Sequence, residues 1–448
     1  MRIVRRFFWA GLFLAVLSFR VRANELPVPS GAYPVGFRAF ELHDLSRTNS
    51  PASDDAPRTL QAFVFYPSVP TSSPKRTYLS DADLAIPAMA RNFHYDVASL
   101  SDLRDTRAHS VQNSPSARGH FPVVFFSHGF RLYALQSTAL LEEVASHGYV
   151  VIVLTHPGDA ADFRLDDGRV IRTFEPPQPQ NAFNPAKQLI CCAAQFAERI
   201  AAIPEYSRRL APTRLGTSAV AWRDDILFAA QSVYDGIVPP HIGEVLKQAD
   251  LKAIAFTGMS FGGSIAAGAC QQTLLCKAAI NLDGGPYDTN MFNRPIRRPL
   301  LIVHSDWIDL PSEGSHYAMG FHPDDLQFER WTDAGTNPDI LRVRVKGIRH
   351  MALSDLSYLM RGEGREDALG NADPGRSGEA ISRLWLAFLD TYLKGRPHMA
   401  VTRVLTQFSN LERHDPANLR DWARENPDSV GAVRDNPFVA PVSPDQPD

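Results

Sequence analysis

Short runs of consecutive apolar residues recur along the chain, many rich in Val, Ile and Phe and several bounded by Gly, His or Pro. They are "TLQAFVFYP", "FPVVFFSHG", "YVVIVLTHP", "LKAIAFTGM", "KAAINLDGG", "PLLIVHSDW" and "RVRVKGIRH". Apolar residues at successive rather than alternating positions predict strands covered on both faces. Between these runs the apolar spacing changes to three and four. "LYALQSTALLEEVASHGY" repeats at Leu140, Leu141 and Val144 and closes at Gly148, where a helix C-cap belongs. "AWRDDILFAAQSVYDGI" repeats at Ile226, Leu227, Ala230 and Val233, with Asp224 and Asp225 read as its first turn. "GEAISRLWLAFLDTYLKGR" predicts a last long helix ending at Lys394 and Gly395. Strand alternating with helix predicts an α/β fold with a mostly parallel central sheet and helices on both faces.

Three segments break that rhythm. Residues 69–118 are polar and proline-punctuated, and residues 157–220 mix prolines with isolated aromatics; both read as insertions into one domain spanning 24–411. Residues 412–448, rich in Pro, Asp and Asn, read as a loosely ordered tail. At the other end, three arginines within Met1–Arg6, the apolar stretch Phe7–Phe19 and "VRA" ending at Ala23 predict a secretory signal over residues 1–23. That apolar stretch falls short of the ~20 residues that span a bilayer, so no stable membrane span is expected after processing. The expected location is therefore periplasmic or secreted.

Composition refines this picture. With 448 residues, 44% of them hydrophobic and 21% charged, the chain is globular rather than disordered, and its 34 prolines make it loop-rich. Removing residues 1–23 takes away five arginines and no acid, shifting the formal charge from −3 to about −8. Such a balance speaks against nucleic acid or an anionic membrane as partner. Of the four cysteines, Cys191, Cys192, Cys270 and Cys276, the last two flank the end of a predicted helix and the start of a predicted strand, close enough for a disulfide. No C-x-x-C, H-E-x-x-H or Cys/His cluster occurs, so no metal and no cofactor is expected. Nothing in the pattern bears on oligomeric state.

The chemistry concentrates at "IAFTGMSFGGSIAAGA", Ile254 to Ala269. It holds the only G-x-S-x-G of the chain, Gly258 to Gly262, where a predicted strand hands over to a predicted helix. Such a turn strains its central residue and lifts the hydroxyl of Ser260 above the sheet, while its flanks admit only small residues. A rival pair, Ser72 and Lys75 in "SSPK", lies in a proline loop with no helix to align it. A serine nucleophile needs a base and an orienting acid downstream. "GIRHMALSDL" supplies His350 just after the apolar run "LRVRV", whereas His316 and His322 lie in a polar loop and His94 and His109 in the first insertion. For the acid, Asp283 ends "AAINLDGG", and Asp306 and Asp309 end "LLIVHSDWID". Both strand ends face the sheet edge of Ser260, and spacing leaves both open. Charge developing on an attacked carbonyl calls for fixed backbone donors. These are the amides of Phe261, directly after Ser260, and of Phe130 in "FFSHGF", with Gly129 allowing the turn and His128 as a scaffold residue.

Five stretches, "FPVVFFSHGFRLY", "SHGYVVIVLTHPGD", "TGMSFGGS", "AINLDGG" and "IRHMALSDL", resemble in the same order the plasma-type platelet-activating-factor acetylhydrolases and their bacterial relatives, within the α/β-hydrolase family. The resemblance runs from about Gly31 to Gly395. It implies the α/β-hydrolase fold, a triad of Ser260, Asp283 and His350, oxyanion amides at Phe130 and Phe261, and no metal; it thus favours Asp283 over Asp306. It also implies hydrolysis of a small ester or lipid substrate through an acyl-enzyme, on short acyl chains or acetylated phospholipid-like molecules. Residues 157–220 do not match the family. They are expected to shape the acyl pocket, with Phe163, Phe174, Phe183 and Phe196 either lining it or packing a small lid core. The alternatives are a polyester, cutinase-like or dienelactone-type hydrolase on the same scaffold, amide or thioester cleavage by the same triad, and a catalytically silent binding protein.

Overall fold

Runs of branched and aromatic residues become the strands of one large sheet. The computed structural model describes residues 26–48, 56–174, 184–192, 196–292, 296–310 and 339–414. The predicted signal segment, His316, His322 and nearly all of the predicted tail lie outside these residues, as do Phe183 and the side chains of Cys191, Cys192 and Phe196. The strands are β1 (Val35–Thr48), β2 (Pro57–Pro67), β3 (Lys75–Thr77), β4 (Arg107–Gln112), β5 (Phe121–Ser127), β6 (Val150–Leu154), β7 (Phe163–Arg164), β8 (Val170–Ile171), β9 (Ala249–Met259), β10 (Cys276–Leu282), β11 (Leu300–His304), β12 (Ile340–Val345) and β13 (Leu411–Arg413). Among the described residues, β7 and β8 form a separate hairpin and the other eleven order as β13-β12-β11-β10-β9-β5-β6-β2-β1-β4-β3. From β6 through β12 the neighbours run parallel. β2 joins β6, and β13 joins β12, in antiparallel fashion.

The continuous apolar strands are covered on both sides, as their lack of alternation predicts. On one face Val123 and Phe125 of β5 pack with Trp222, Ile226 and Ile265. On the other, Val124 and Phe126 pack with Val144, Leu384 and Trp385. The helix Thr138–Ser146 stops before Gly148 at φ +84°, and Pro374–Lys394 stops before Gly395 at φ +66°, the left-handed closures read from the sequence. Cys270 and Cys276 are joined by a disulfide that clips the end of the helix Phe261–Cys270 to the start of β10.

Three expectations change. The helix read with Asp224 and Asp225 in its first turn begins well before them, at Arg214, because Thr213 caps it by accepting from the Gly216 amide at 3.2 Å. Asp224 and Asp225 are therefore mid-helix, and Asp225 faces inward onto Arg58 instead of serving the helix dipole. Residues 69–118 supply the edge strand β3 and its neighbour β4 as well as the helix Ala82–Phe93. The sheet also runs to Arg413, since β13 pairs the otherwise open edge of β12. No helix among the described residues is long and apolar enough to cross a membrane.

Candidate active site

β9 ends at Met259 and the helix Phe261–Cys270 follows, leaving Ser260 between them at φ +56° and ψ −128°. A side chain bearing Cβ avoids that region, so the surroundings must impose it. The Ser260 amide donates to the Leu282 carbonyl at 2.6 Å, and its own carbonyl accepts from Ser264 at 3.1 Å. Neighbouring backbone crowds the turn. A Cβ on Gly258 would strike Gly262 and the Ser127 carbonyl; one on Gly262 would strike the Ser127 and His128 carbonyls. The small residues are thus required by close approach of β5 to the turn.

His350 opens a one-turn helix, His350–Leu353, just past β12. Its Nε2 lies 2.8 Å from Ser260 Oγ and its Nδ1 2.7 Å from Asp283 Oδ2. A carboxylate only accepts, so Nδ1 carries the proton and Nε2 receives the serine hydroxyl. Asp283, at the end of β10, also accepts from the Ser305 amide at 2.9 Å and the Ser305 hydroxyl at 2.7 Å. Burial alone would push its carboxyl up, but the neighbouring His304 and His350 outweigh that and hold it well below the usual carboxylate range. It therefore stays ionised opposite the imidazole.

Asp306 points elsewhere. Its carboxylate accepts from Arg344 Nη1 at 2.8 Å and from the Gly347 amide at 2.7 Å, while its amide donates to the Ile348 carbonyl at 2.8 Å. It ties the end of β11 to the loop that carries His350. Asp309 lies beside it, 3.3 Å from the same Arg344 nitrogen. Of the acids left open by spacing, Asp283 is the one that meets His350.

The loop after β5 runs directly alongside. A Cβ on Gly129 would sit 3.4 Å from Ser260 Cβ, and the rings of Phe130 and Phe261 lie 5.3 Å apart. Phe261 opens the helix that follows Ser260, so its N–H belongs to the first turn, where no intrahelical acceptor exists, and Phe130 lies in the loop directly beside it. His128 is buried and donates from Nδ1 to the Gly129 carbonyl at 2.7 Å. Burial, with His156 nearby, pushes its imidazole down to about 3, so it is a neutral scaffold group.

Sequence reasoning missed Ser305, which steadies Asp283, and the group of Arg58, Asp225, His156 and Trp222 beneath the loop. A signal was present: Asp225 shares the apolar stripe of Trp222, Ile226 and Ala229, where a lone carboxylate demands a buried partner. Among the aromatics of residues 157–220, Phe163 packs with Ala160, Leu165 and Ile171 in a small core of its own, and Phe174 lies 5.1 Å beneath the Arg214 guanidinium. Among the described residues, no group of His, Cys, Asp or Glu is arranged to hold a metal ion.

Comparison with known proteins places these residues in context. The family model Chlorophyllase matches residues 96–156, which include β5, the Phe130 loop and β6. A probable 1-alkyl-2-acetylglycerophosphocholine esterase of Arthroderma benhamiae is 28% identical over 161 residues. That stretch covers 33% of this chain and only 40% of the relative's length. Among solved structures, the ferulic acid esterase from Streptomyces cinnamoneus superposes with a TM-score of 0.63 at 21% identity, covering 88% of this chain and all of that one.

Proposed function

We propose that this chain, whose fold is that of the α/β-hydrolases, is a carboxylic-ester hydrolase working through Ser260, His350 and Asp283. The observation that carries this reading is the unbroken hydrogen-bond chain from Ser260 Oγ through His350 to Asp283, rooted in a serine forced to positive φ. His350 Nε2 takes the hydroxyl proton as Ser260 attacks the ester carbonyl. The Phe130 and Phe261 amides receive the oxyanion, the alcohol leaves with the proton from His350, and water then releases the acid from the acyl-enzyme. Asp283 keeps the imidazole in the reactive tautomer and supports its charge.

Short acyl esters or acetylated phospholipid-like molecules are the proposed substrates, a choice supported by the acetyl ester in the name of the Arthroderma relative. Export is part of the proposal, supported by the basic, apolar and small-residue succession over residues 1–23 and by the Cys270–Cys276 disulfide. The test is turnover of p-nitrophenyl esters of increasing chain length beside an acetyl glycerophospholipid, with fluorophosphonate labelling of wild type and Ser260→Ala. Labelling is expected in wild type alone, with turnover falling as the acyl chain grows. Full turnover by Ser260→Ala would end the reading, while rising turnover with chain length would favour a cutinase-like enzyme.

A further inference from the structure

Beneath the site lies a second set of the same three side chains. Ser127 Oγ is 3.1 Å from His156 Nε2, and His156 Nδ1 is 2.8 Å from Asp225 Oδ2. Asp225 is gripped by Arg58 through Nε and Nη2, each at 2.6 Å, and by Arg47 at 2.9 Å. Ser127 is 1% exposed and the other two not at all, and Trp222 stacks on the His156 ring at 3.8 Å and 10°. No ester reaches such a serine, so this is not a second catalytic centre.

Its connections lead to the neighbouring loop instead. The His156 amide donates to His128 Nε2 at 3.1 Å, and His128 Nδ1 donates to the Gly129 carbonyl at 2.7 Å. That carbonyl shares a peptide plane with the Phe130 amide. In a trans peptide the C=O and N–H point in opposite directions, so anchoring one aims the other. The same carbonyl accepts from the Leu132 amide at 3.0 Å, and the Arg131 amide is tied to the Asp159 carbonyl at 2.7 Å. The plane is held from both sides.

We infer that Asp225, His156 and His128 are positioning residues, a buried relay that sets the direction of the Phe130 amide; this rests on the oxyanion role proposed above. Asp225 only accepts, so the proton of His156 sits on Nδ1 and the Ser127 hydroxyl donates to Nε2. The ring is thus fixed, and with it the backbone N–H that meets His128. His128 must be neutral there, because a second ring proton would oppose the His156 N–H. Burial keeps it so, and burial also pushes the His156 imidazole down against the pull of Asp225.

Two substitutions separate positioning from packing. An asparagine places its amide near the Nδ1 side of the replaced ring, a glutamine near the Nε2 side. His128→Asn should keep the donor to Gly129 and hold kcat within about fivefold, whereas His128→Gln should lose about 10² to 10³ in kcat with KM little changed, the loss of one oxyanion donor. The inhibition constant of an aryl trifluoromethyl ketone, whose adduct carries an oxyanion, should weaken in parallel for His128→Gln only. Both variants lose the same ring contact with Trp222, so equal losses, or none in either, would overturn the relay. Ser260→Ala is assayed alongside: full turnover there sinks the catalytic reading, while an inactive Ser260→Ala with matched His128 variants sinks the relay alone. If neither variant folds, nitrogen-15 histidine spectra of the wild type decide. At least one histidine should remain neutral at pH 5 with the proton on Nδ1, as His128 requires, and finding none would overturn the relay.

Discussion

The two Ser–His–Asp chains of this molecule share residue types, order of contacts and nearly equal distances, yet differ in everything that makes a serine reactive. Ser260 stands at φ +56° at the end of β9, and His350 keeps 41% of its side chain exposed. Ser127 is the last residue of β5, paired in register with Gly258, and His156 is wholly buried under Trp222. Asp283 faces two histidines and Ser305, whereas Asp225 faces two arginines. The lesson is that hydrogen-bond geometry alone does not mark a nucleophile. Backbone strain that lifts the hydroxyl, and an exposed imidazole, set the Ser260 chain apart from the sealed one, and the proposed catalysis rests on that difference.

The sharpest way to break the comparison is to delete each serine. Ser260→Ala should lower kcat by on the order of 10⁶, while Ser127→Ala should stay within about tenfold, because only one bond to a positioning ring is lost. Similar losses in both, measured with p-nitrophenyl acetate, would erase the distinction. The acids come next. Asp283→Asn is expected to cost about 10⁴ in kcat with the fold intact. Asp225→Asn, which strands Arg58, should remove roughly 3–5 kcal/mol of stability in urea unfolding and, by freeing the His156 ring, lower kcat less than Asp283→Asn does. Asp306→Asn should likewise act on stability, through Arg344, and leave the chemistry in place.

A smaller effect separates the two histidines by pH. His128 titrates near 3 in the fold, below the ~6.5 of an unfolded histidine. Between those values the unfolded chain holds more protons, so stability rises with pH and is lost on acidification from about 6.5, by roughly 1.4 kcal/mol per pH unit. Unfolding measured from pH 7 to 5 should therefore show a steeper loss in wild type than in His128→Asn, where the buried His156 still contributes. The smallest effect concerns neither serine directly: the double substitution Cys270→Ser, Cys276→Ser opens a short loop and should lower stability by ~2 kcal/mol with kcat unchanged within about twofold, as judged by thermal melting beside the ester assay.

Much of the candidate site was legible because it obeys local rules. A strand, a G-x-S-x-G and a run of small residues can be packed in few ways, and the apolar run before His350 places that residue at the same sheet edge. The gaps had two causes, one local and one not. The start of the Trp222 helix was misplaced because Thr213 lies in a proline-marked stretch that read as loop. The partnership of Asp225 with Arg58 spans 167 residues, and no periodicity reports it.

By itself the sequence determined the layered sheet and the strained position of Ser260, since apolar spacing, small side chains and chain order each act over a few residues. Only the tertiary structure decided which aspartate meets His350, because Asp283 and Asp306 end adjacent strands and differ just in what faces them: imidazole and Ser305 for one, the Arg344 guanidinium for the other. It likewise decided that one Ser–His–Asp set is open and the other sealed, because burial belongs to elements far apart along the chain that meet only when the sheet is assembled.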